Sequence, residues 1–194
     1  MEQVRSFIAI ELPDELKEGL AQLQAQLRLG KPSSVKWVDP YSIHLTIKFL
    51  GNIAEDRIPA ITRAIEEATK GLSSFQLKVT GLGVFPNLKR VQVAWVGIVG
   101  EVDKLAQLQQ RIESSLTPLG FTAETRPFTP HLTLARLRDQ ASADERQRMG
   151  QLIASTSFET AYFIKVASIN LMRSQLTREG AIYSRLSSVG LRKE

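Results

Sequence analysis

Both histidines of the 194-residue chain open the same short phrase, His44-Leu45-Thr46-Ile47 and His131-Leu132-Thr133-Leu134. Histidine titrates nearest neutrality and is the usual general acid or base. Two copies, each followed by Leu-Thr, suggest one acid and one base in a single site. With Leu and Thr at ordinary frequencies, two random histidines would both precede Leu-Thr about once in ten thousand chains. On a strand, side chains alternate faces. His44 and Thr46 then share one face, as do His131 and Thr133, while Leu45, Ile47, Leu132 and Leu134 point to a core. An imidazole that takes a proton from water, an imidazolium that protonates a leaving oxygen, and two hydroxyls that donate to nonbridging oxygens make a set suited to phosphoryl chemistry. Two histidines without cysteine are too few for a usual zinc site, and no acidic cluster lies close in sequence to complete one. Neither metal nor cofactor is therefore expected. The competing reading of either motif alone is structural, since strand histidines are often merely hydrogen-bonded and Thr is a good β-former. The duplication favours catalysis.

The repeat extends upstream. Pro40-Tyr41-Ser42-Ile43 before His44 matches Pro127-Phe128-Thr129-Pro130 before His131, and Leu50 matches Leu137. An internal duplication is the economical explanation. Its period is far too long for a solenoid and implies two similar lobes, roughly 1–98 and 99–194, within one bilobal domain spanning 1–194, with strand exchange between lobes left open. Each half reads helix, motif strand, helix, strand pair. Val4–Leu12 is a strand, and Pro13-Asp14-Glu15 opens a helix with Leu16, Leu20, Leu23 and Leu27 as its stripe. Val35–Val38 and Ile43–Leu50 are strands, Glu55–Lys70 a helix, and Phe75–Phe85 and Val91–Ile98 strands. In the second half, Val102–Leu119 and Ser142–Ser155 are helices, and Phe121–Thr125, Pro130–Leu137, Phe158–Arg173 and Gly180–Ser188 are strands.

Composition sets the frame. An apolar fraction of 43% supports a core, and no apolar run approaches membrane-spanning length. The start of the chain reads as a first strand and lacks a signal-peptide pattern. Cysteine is absent, which excludes disulfides and thiolate metal sites and fits the cytoplasm. The net charge of +5 favours anionic partners such as RNA or nucleotides. One self-contained cleft makes a monomer the default.

Together these segments resemble the 2H phosphoesterase superfamily, and more closely its RNA 2′,3′-cyclic phosphodiesterases, historically called 2′-5′ RNA ligases. The resemblance runs over nearly the whole chain. It rests on Arg5-Ser6-Phe7-Ile8-Ala9-Ile10, on His44 through Gly51, on Arg126 through Arg136, and on Leu171-Met172-Arg173-Ser174 and Tyr183. It implies an α+β fold with two antiparallel sheets flanking a central cleft and helices on the outer faces. It also implies hydrolysis of a ribose 2′,3′-cyclic phosphate to a 2′-phosphate. His44 would be the acid for the departing 3′-oxygen and His131 the base for water, although the near-identical motifs do not themselves separate these roles. Thr46 and Thr133 would hold the phosphate.

Phe49 and Arg136 each lie five positions after their histidine. The resemblance suggests that Phe49 stacks a base and Arg136 approaches phosphate. Strict alternation places both on the face opposite the histidines, so a bulge or the strand end must re-aim them. Otherwise Phe49 is core and Arg136 a solvated charge. Lys89 and Arg90, in a hairpin loop, are weaker candidates for contacting RNA. Alternative functions are reverse ligation through the same site, a cyclic phosphodiesterase acting on a small nucleotide, and a non-catalytic RNA-binding module. No Gly-x-x-x-x-Gly-Lys loop for ATP is present, which favours hydrolysis over ligation.

Overall fold

Val4, Ile8 and Ile10 of β1 (Gln3–Glu11) enter the main core, whereas Phe7 and Ala9 join Met172 in a small separate cluster on the opposite face. This two-sided strand is the centre of one sheet in the computed structural model, which describes residues 2–159 and 161–193. After β1 come α1 (Asp14–Leu29), β2 (Val35–Trp37), β3 (His44–Ala54), α2 (Ile58–Thr69), β4 (Phe75–Phe85) and β5 (Val93–Gly100). The second half contains α3 (Val102–Leu116), β6 (His131–Leu137), α4 (Ala143–Ala154), β7 (Tyr162–Val166), β8 (Ser168–Thr177) and β9 (Gly180–Gly190).

The strands form two antiparallel sheets. The first runs β3-β1-β8-β9 and the second β2-β6-β5-β4-β7. Each sheet draws strands from both halves of the sequence, so the halves 1–98 and 99–194 interleave. The exchange in the second half occurs at Ala167. Tyr162–Val166 pairs with β4 in the second sheet and Ser168–Thr177 pairs with β1 in the first. The expected single strand Phe158–Arg173 is therefore two strands in different sheets. The expected strand Phe121–Thr125 is an irregular segment; its Thr122 carbonyl bonds a lysine side chain instead of a ladder.

Helices back each sheet on one face. Leu16, Leu20, Leu23 and Leu27 form the buried stripe of α1. Gln24 donates from the same helix to the carbonyls of Val38 (2.7 Å) and Leu134 (3.0 Å), tying α1 to β6. Gly19 lets α1 approach the ring of Tyr162 on β7, where a Cβ would come within 2.4 Å. α4 starts with a capping box in which Ser142 and Glu145 satisfy each other's backbone N–H groups. The Glu145 carboxylate also accepts from Ser33 and Ser34, and these bonds, the Ser142 N–H first, hold its pKa down to about 2. The first sheet is backed by α2, through Thr62 on Ser187 (2.7 Å), and by α3. Among the described residues, no helix is long and apolar enough to cross a membrane.

Candidate active site

The two motif strands depart from regular pairing at the same place. On β3, Thr46 pairs with Ala9 and Lys48 with Ile8, so Ile47 is an extra residue. On β6, Thr133 pairs with Trp95 and Ala135 with Ala94, so Leu134 is extra. Both strands consequently read half-buried, buried, half-buried, buried, buried, exposed from the histidine onward. A bulge shifts the side-chain alternation by one residue. Residues five positions after each histidine thereby return to the histidine face. This corrects the strict-alternation placement: Phe49 is 70% exposed with its ring 6.2 Å from that of Phe7, and Phe7 stacks on His44. Arg136 pairs with Val93, on the same face as Trp95 and Thr133.

The two imidazoles are oriented by one device used twice. His44 Nδ1 lies 2.9 Å from the carbonyl oxygen of Ser42, and His131 Nδ1 lies 2.7 Å from that of Thr129. A carbonyl only accepts, so Nδ1 carries the proton in each ring and Nε2 is left for chemistry. In both motifs the acceptor is the backbone carbonyl of the hydroxyl residue two positions upstream. Before β3, Asp39 accepts from Tyr41 N–H (2.9 Å) and fixes the turn that presents the Ser42 carbonyl.

The rings sit in unlike surroundings. His44 stacks on Phe7 (centroids 4.5 Å apart, 23° between planes) and meets the edge of Tyr183 at 4.9 Å. Burial pushes its pKa below the ordinary value, against the opposing pull of the Ser42 carbonyl and of Glu11, its ladder partner. Glu11 also accepts from Asn170 (2.9 Å) and pairs with Arg185. His131 faces the edge of Phe85 at 4.9 Å, and Trp95 lies 6.4 Å away, its indole resting over Gly83. Among the described residues, the hydroxyls of Thr46 and Thr133 have no hydrogen-bond partner; both side chains are half-buried on the histidine faces.

The two faces meet. Cα atoms of β3 and β6 come within 8 Å of one another. Tyr183, from the first sheet, has its pKa raised by burial and feels the opposing charges of Arg136, from the second, and of Arg5. Behind the site, Lys48 is buried beside the β3 bulge. Its ammonium donates to Glu113 (2.7 Å) on α3 and to the carbonyl of Thr122 (2.9 Å) in the segment that leads to His131. Lys89 and Arg90 are exposed in the β4–β5 turn, and that turn seats Leu88 against Gly150 of α4, in the outer helical layer.

Phe7, Glu11, Phe85, Trp95 and Asn170 were not expected from sequence. For Phe7 and Glu11 the signal is indirect: in β1 the odd-numbered residues Arg5, Phe7, Ala9 and Glu11 form the face turned from the main core, which identifies them once β1 is known to pair with β3; Phe85, Trp95 and Asn170 carry no local signal. Among the described residues, no group of three or more His, Asp or Glu is placed to hold a metal ion.

The model of the LigT-like phosphoesterase family matches the chain twice, over residues 10–95 and 96–183. A protein of Methanothermobacter thermautotrophicus called RNA 2′,3′-cyclic phosphodiesterase is 29% identical over 94% of this chain and 96% of its own. One of the same name from Aeropyrum pernix is 32% identical over 80% and 85%. In structure, LigT of Escherichia coli in its apo form superposes with a TM-score of 0.78 at 26% identity, covering 99% of both chains. TT0787 of Thermus thermophilus gives 0.77 at 26%, covering 98% and 99%. The two matches of the family model each contain one histidine motif, and the chain belongs to the LigT-like phosphoesterases, within the 2H phosphoesterase superfamily.

Proposed function

We propose that the protein hydrolyses 2′,3′-cyclic phosphates at RNA ends to 2′-phosphates, with His44 and His131 as a metal-free acid–base pair. The observation that carries this reading is the pair of imidazoles, each held through Nδ1 by a backbone carbonyl and each beside an unengaged Thr hydroxyl. Water attacks phosphorus as His131 Nε2 takes its proton. The P–O3′ bond breaks as His44 Nε2 protonates the departing 3′-oxygen, leaving a 2′-phosphate and a 3′-hydroxyl. Thr46, Thr133 and Arg136 stabilise the charge on the nonbridging oxygens, and Phe49 stacks the terminal base. Burial favours neutral His44 in the free site, and the phosphodiester anion acts in the opposite direction, so protonation of His44 accompanies substrate binding.

The names of the relatives from M. thermautotrophicus and A. pernix support the substrate class. LigT of E. coli, 25% identical over 99% of both chains, has been crystallised with NADP+, which supports a nucleotide ligand and keeps a small-nucleotide substrate as the second reading. We place the reaction in the cytoplasm, on the cysteine-free composition, and assign it to a monomer.

The test is cleavage, in EDTA, of an oligoribonucleotide ending in a 2′,3′-cyclic phosphate, with His44→Ala and His131→Ala in parallel. Opening to a 2′-phosphate, reduced by about 10² or more in each variant, is expected. No opening by the parent, with RNA binding intact, overturns the reading in favour of a binding module.

A further inference from the structure

The sheet face that carries His131 continues well past the cleft. Gly97 of β5 is the ladder partner of His131, and Val99, two residues on, shares its face. Val99 pairs with Lys78 on β4, and Lys78 pairs with Phe163 on the edge strand β7. Gln76 and Lys165 form the next row. The intervening residues Leu77, Val79, Ile98, Ile164 and Val166 are 8% exposed or less and fill the core on the helix side. The other face is open: Phe163 is 50% and Val99 43% exposed, and Lys165 is exposed too. Among the described residues, neither lysine has a carboxylate within ion-pair distance. Glu101, beyond the last row, is engaged by the N–H of Gln76 (2.6 Å) and by Lys104 (2.6 Å).

We propose that this open face binds the RNA chain leading to the cyclic phosphate, with Phe163 stacking a base and Lys78 and Lys165 holding phosphates. The proposal rests on the RNA phosphodiesterase reading and deepens it: the protein would then prefer oligonucleotides to mononucleotides. An exposed aromatic flanked by unpaired cations on a strand face is the equipment of a single-strand stacking platform. Three inter-strand spacings separate β6 from β7, about 14 Å, beyond the reach of one nucleotide and within that of a short chain. A two-fold dimer through the same face is disfavoured, because it would close both copies of Lys78 and Lys165 into one interface to which, among the described residues, the face brings no free carboxylate.

The experiment compares kcat/KM on 2′,3′-cyclic CMP and on a hexaribonucleotide ending in a 2′,3′-cyclic phosphate, for the parent, Phe163→Ser and Lys78→Ala/Lys165→Ala. The platform predicts unchanged mononucleotide turnover in all three. It predicts a loss of about 5- to 150-fold on the hexamer for Phe163→Ser, the measured range for a stacked base. For the double lysine variant, the salt slope of log kcat/KM on the hexamer should shrink by about 1.4, or 0.7 per phosphate contact. Hexamer rates that match the parent's, or mononucleotide rates that fall equally, overturn the platform. A parent inactive on both substrates overturns the phosphodiesterase reading instead. The platform is then decided by fluorescence anisotropy of a labelled hexamer, where equal Kd for parent and variants overturns it. Sedimentation is the remaining control: a dimer dispersed by Phe163→Ser, with hexamer turnover intact, also overturns it.

Discussion

Replacing Lys48 with Met removes an ammonium and keeps most of the side-chain volume. The Lys48 side chain is 7% exposed and that of Glu113 13%, with 2.7 Å between Nζ and Oε2. Without Lys48, the Glu113 carboxylate keeps the Gln109 amide (3.1 Å) and a long contact from the N–H of Glu124 (3.4 Å), but no positive charge within this network. Removing one partner of a buried pair costs about 3–5 kcal/mol, mainly because the other charge is left uncompensated. For a domain of this size that is a drop in Tm of about 6–20 °C. Removing both charges, as in Lys48→Met/Glu113→Leu, leaves no orphaned charge and restores most of that loss. Activity separates from stability here. Lys48 also donates to the Thr122 carbonyl, so it joins the strand of His44 to the irregular segment that leads to His131. The double variant lacks that tether, and kcat should stay about tenfold below the parent although its stability is recovered, a loss of about 1.4 kcal/mol in transition-state positioning. Denaturant unfolding of the parent, both single variants and the double variant, beside turnover of a cyclic-phosphate oligonucleotide, closes the cycle. A double variant that sums the two single losses refutes the orphan-charge account. Full kcat in the double variant refutes the tether.

Phe49→Ala should raise KM about 5- to 150-fold and leave unfolding nearly unchanged, since a side chain 70% exposed contributes little to the core; a change in stability above about 1 kcal/mol would show that it packs. NMR titration of the ring nitrogens should place the His44 midpoint below its ordinary value of about 6.5 in the free protein, because burial disfavours the cation, and inorganic phosphate should move it upward. With a lowered histidine pKa the unfolded chain binds more protons, so this group costs stability as pH falls below about 6.5 and not above it; a free-protein midpoint above that value contradicts the burial argument. Gly83→Ala would set a Cβ 2.2 Å from the Trp95 ring, so the indole beside His131 must shift; reduced kcat with a native circular dichroism spectrum is expected, and parent-like kcat would show that Trp95 does not position the histidine. Glu145→Gln should lower the midpoint of thermal unfolding by weakening the bonds from Ser142, Ser33 and Ser34 to the carboxylate, an effect present at neutral pH and lost as pH falls from the ordinary carboxylate range toward about 2, where the Glu145 of the parent itself protonates; a difference that persists at low pH would refute it.

The motif residues were legible because two separate patterns agree at the same positions. Leu45, Ile47, Leu132 and Leu134 are 4% exposed or less, as alternation requires, and the upstream match of Ser42 with Thr129 coincides with the two carbonyls that orient the rings. The helices were legible from their stripes and caps. Leu105, Leu108, Ile112 and Leu116 are all fully buried, and Pro118 turns the end of that segment into a separate short helix. Strand partnership was not legible, because it is decided between segments far apart. Nothing local in Phe158–Arg173 marks Ala167 as the residue where the chain leaves one sheet for the other. The apolar run continues through it because both sides of the crossing are buried.

The bulges are the more instructive case, because the need for one was legible at Phe49 and Arg136 while its position was not. Alternation counted from His44 puts Lys48 on the cleft face and Phe49 in the core, an arrangement that would bury an aromatic and leave the lysine in the cleft. The extra residue at Ile47 reverses both: Lys48 goes inward to meet Glu113, and Phe49 comes out beside Phe7. At the matching place on β6, Ala135 takes the inward position and Arg136 the outward one. One insertion, present in both halves, therefore turns a run of six residues into a histidine, a hydroxyl and a third side chain on a single surface. The third position differs between the halves, aromatic in one and cationic in the other. That difference gives a cleft built from near-identical strands two unlike ends, one aromatic and one cationic; under the proposed function Phe49 would take the base and Arg136 the phosphate, which sets a direction for a polar substrate to lie in.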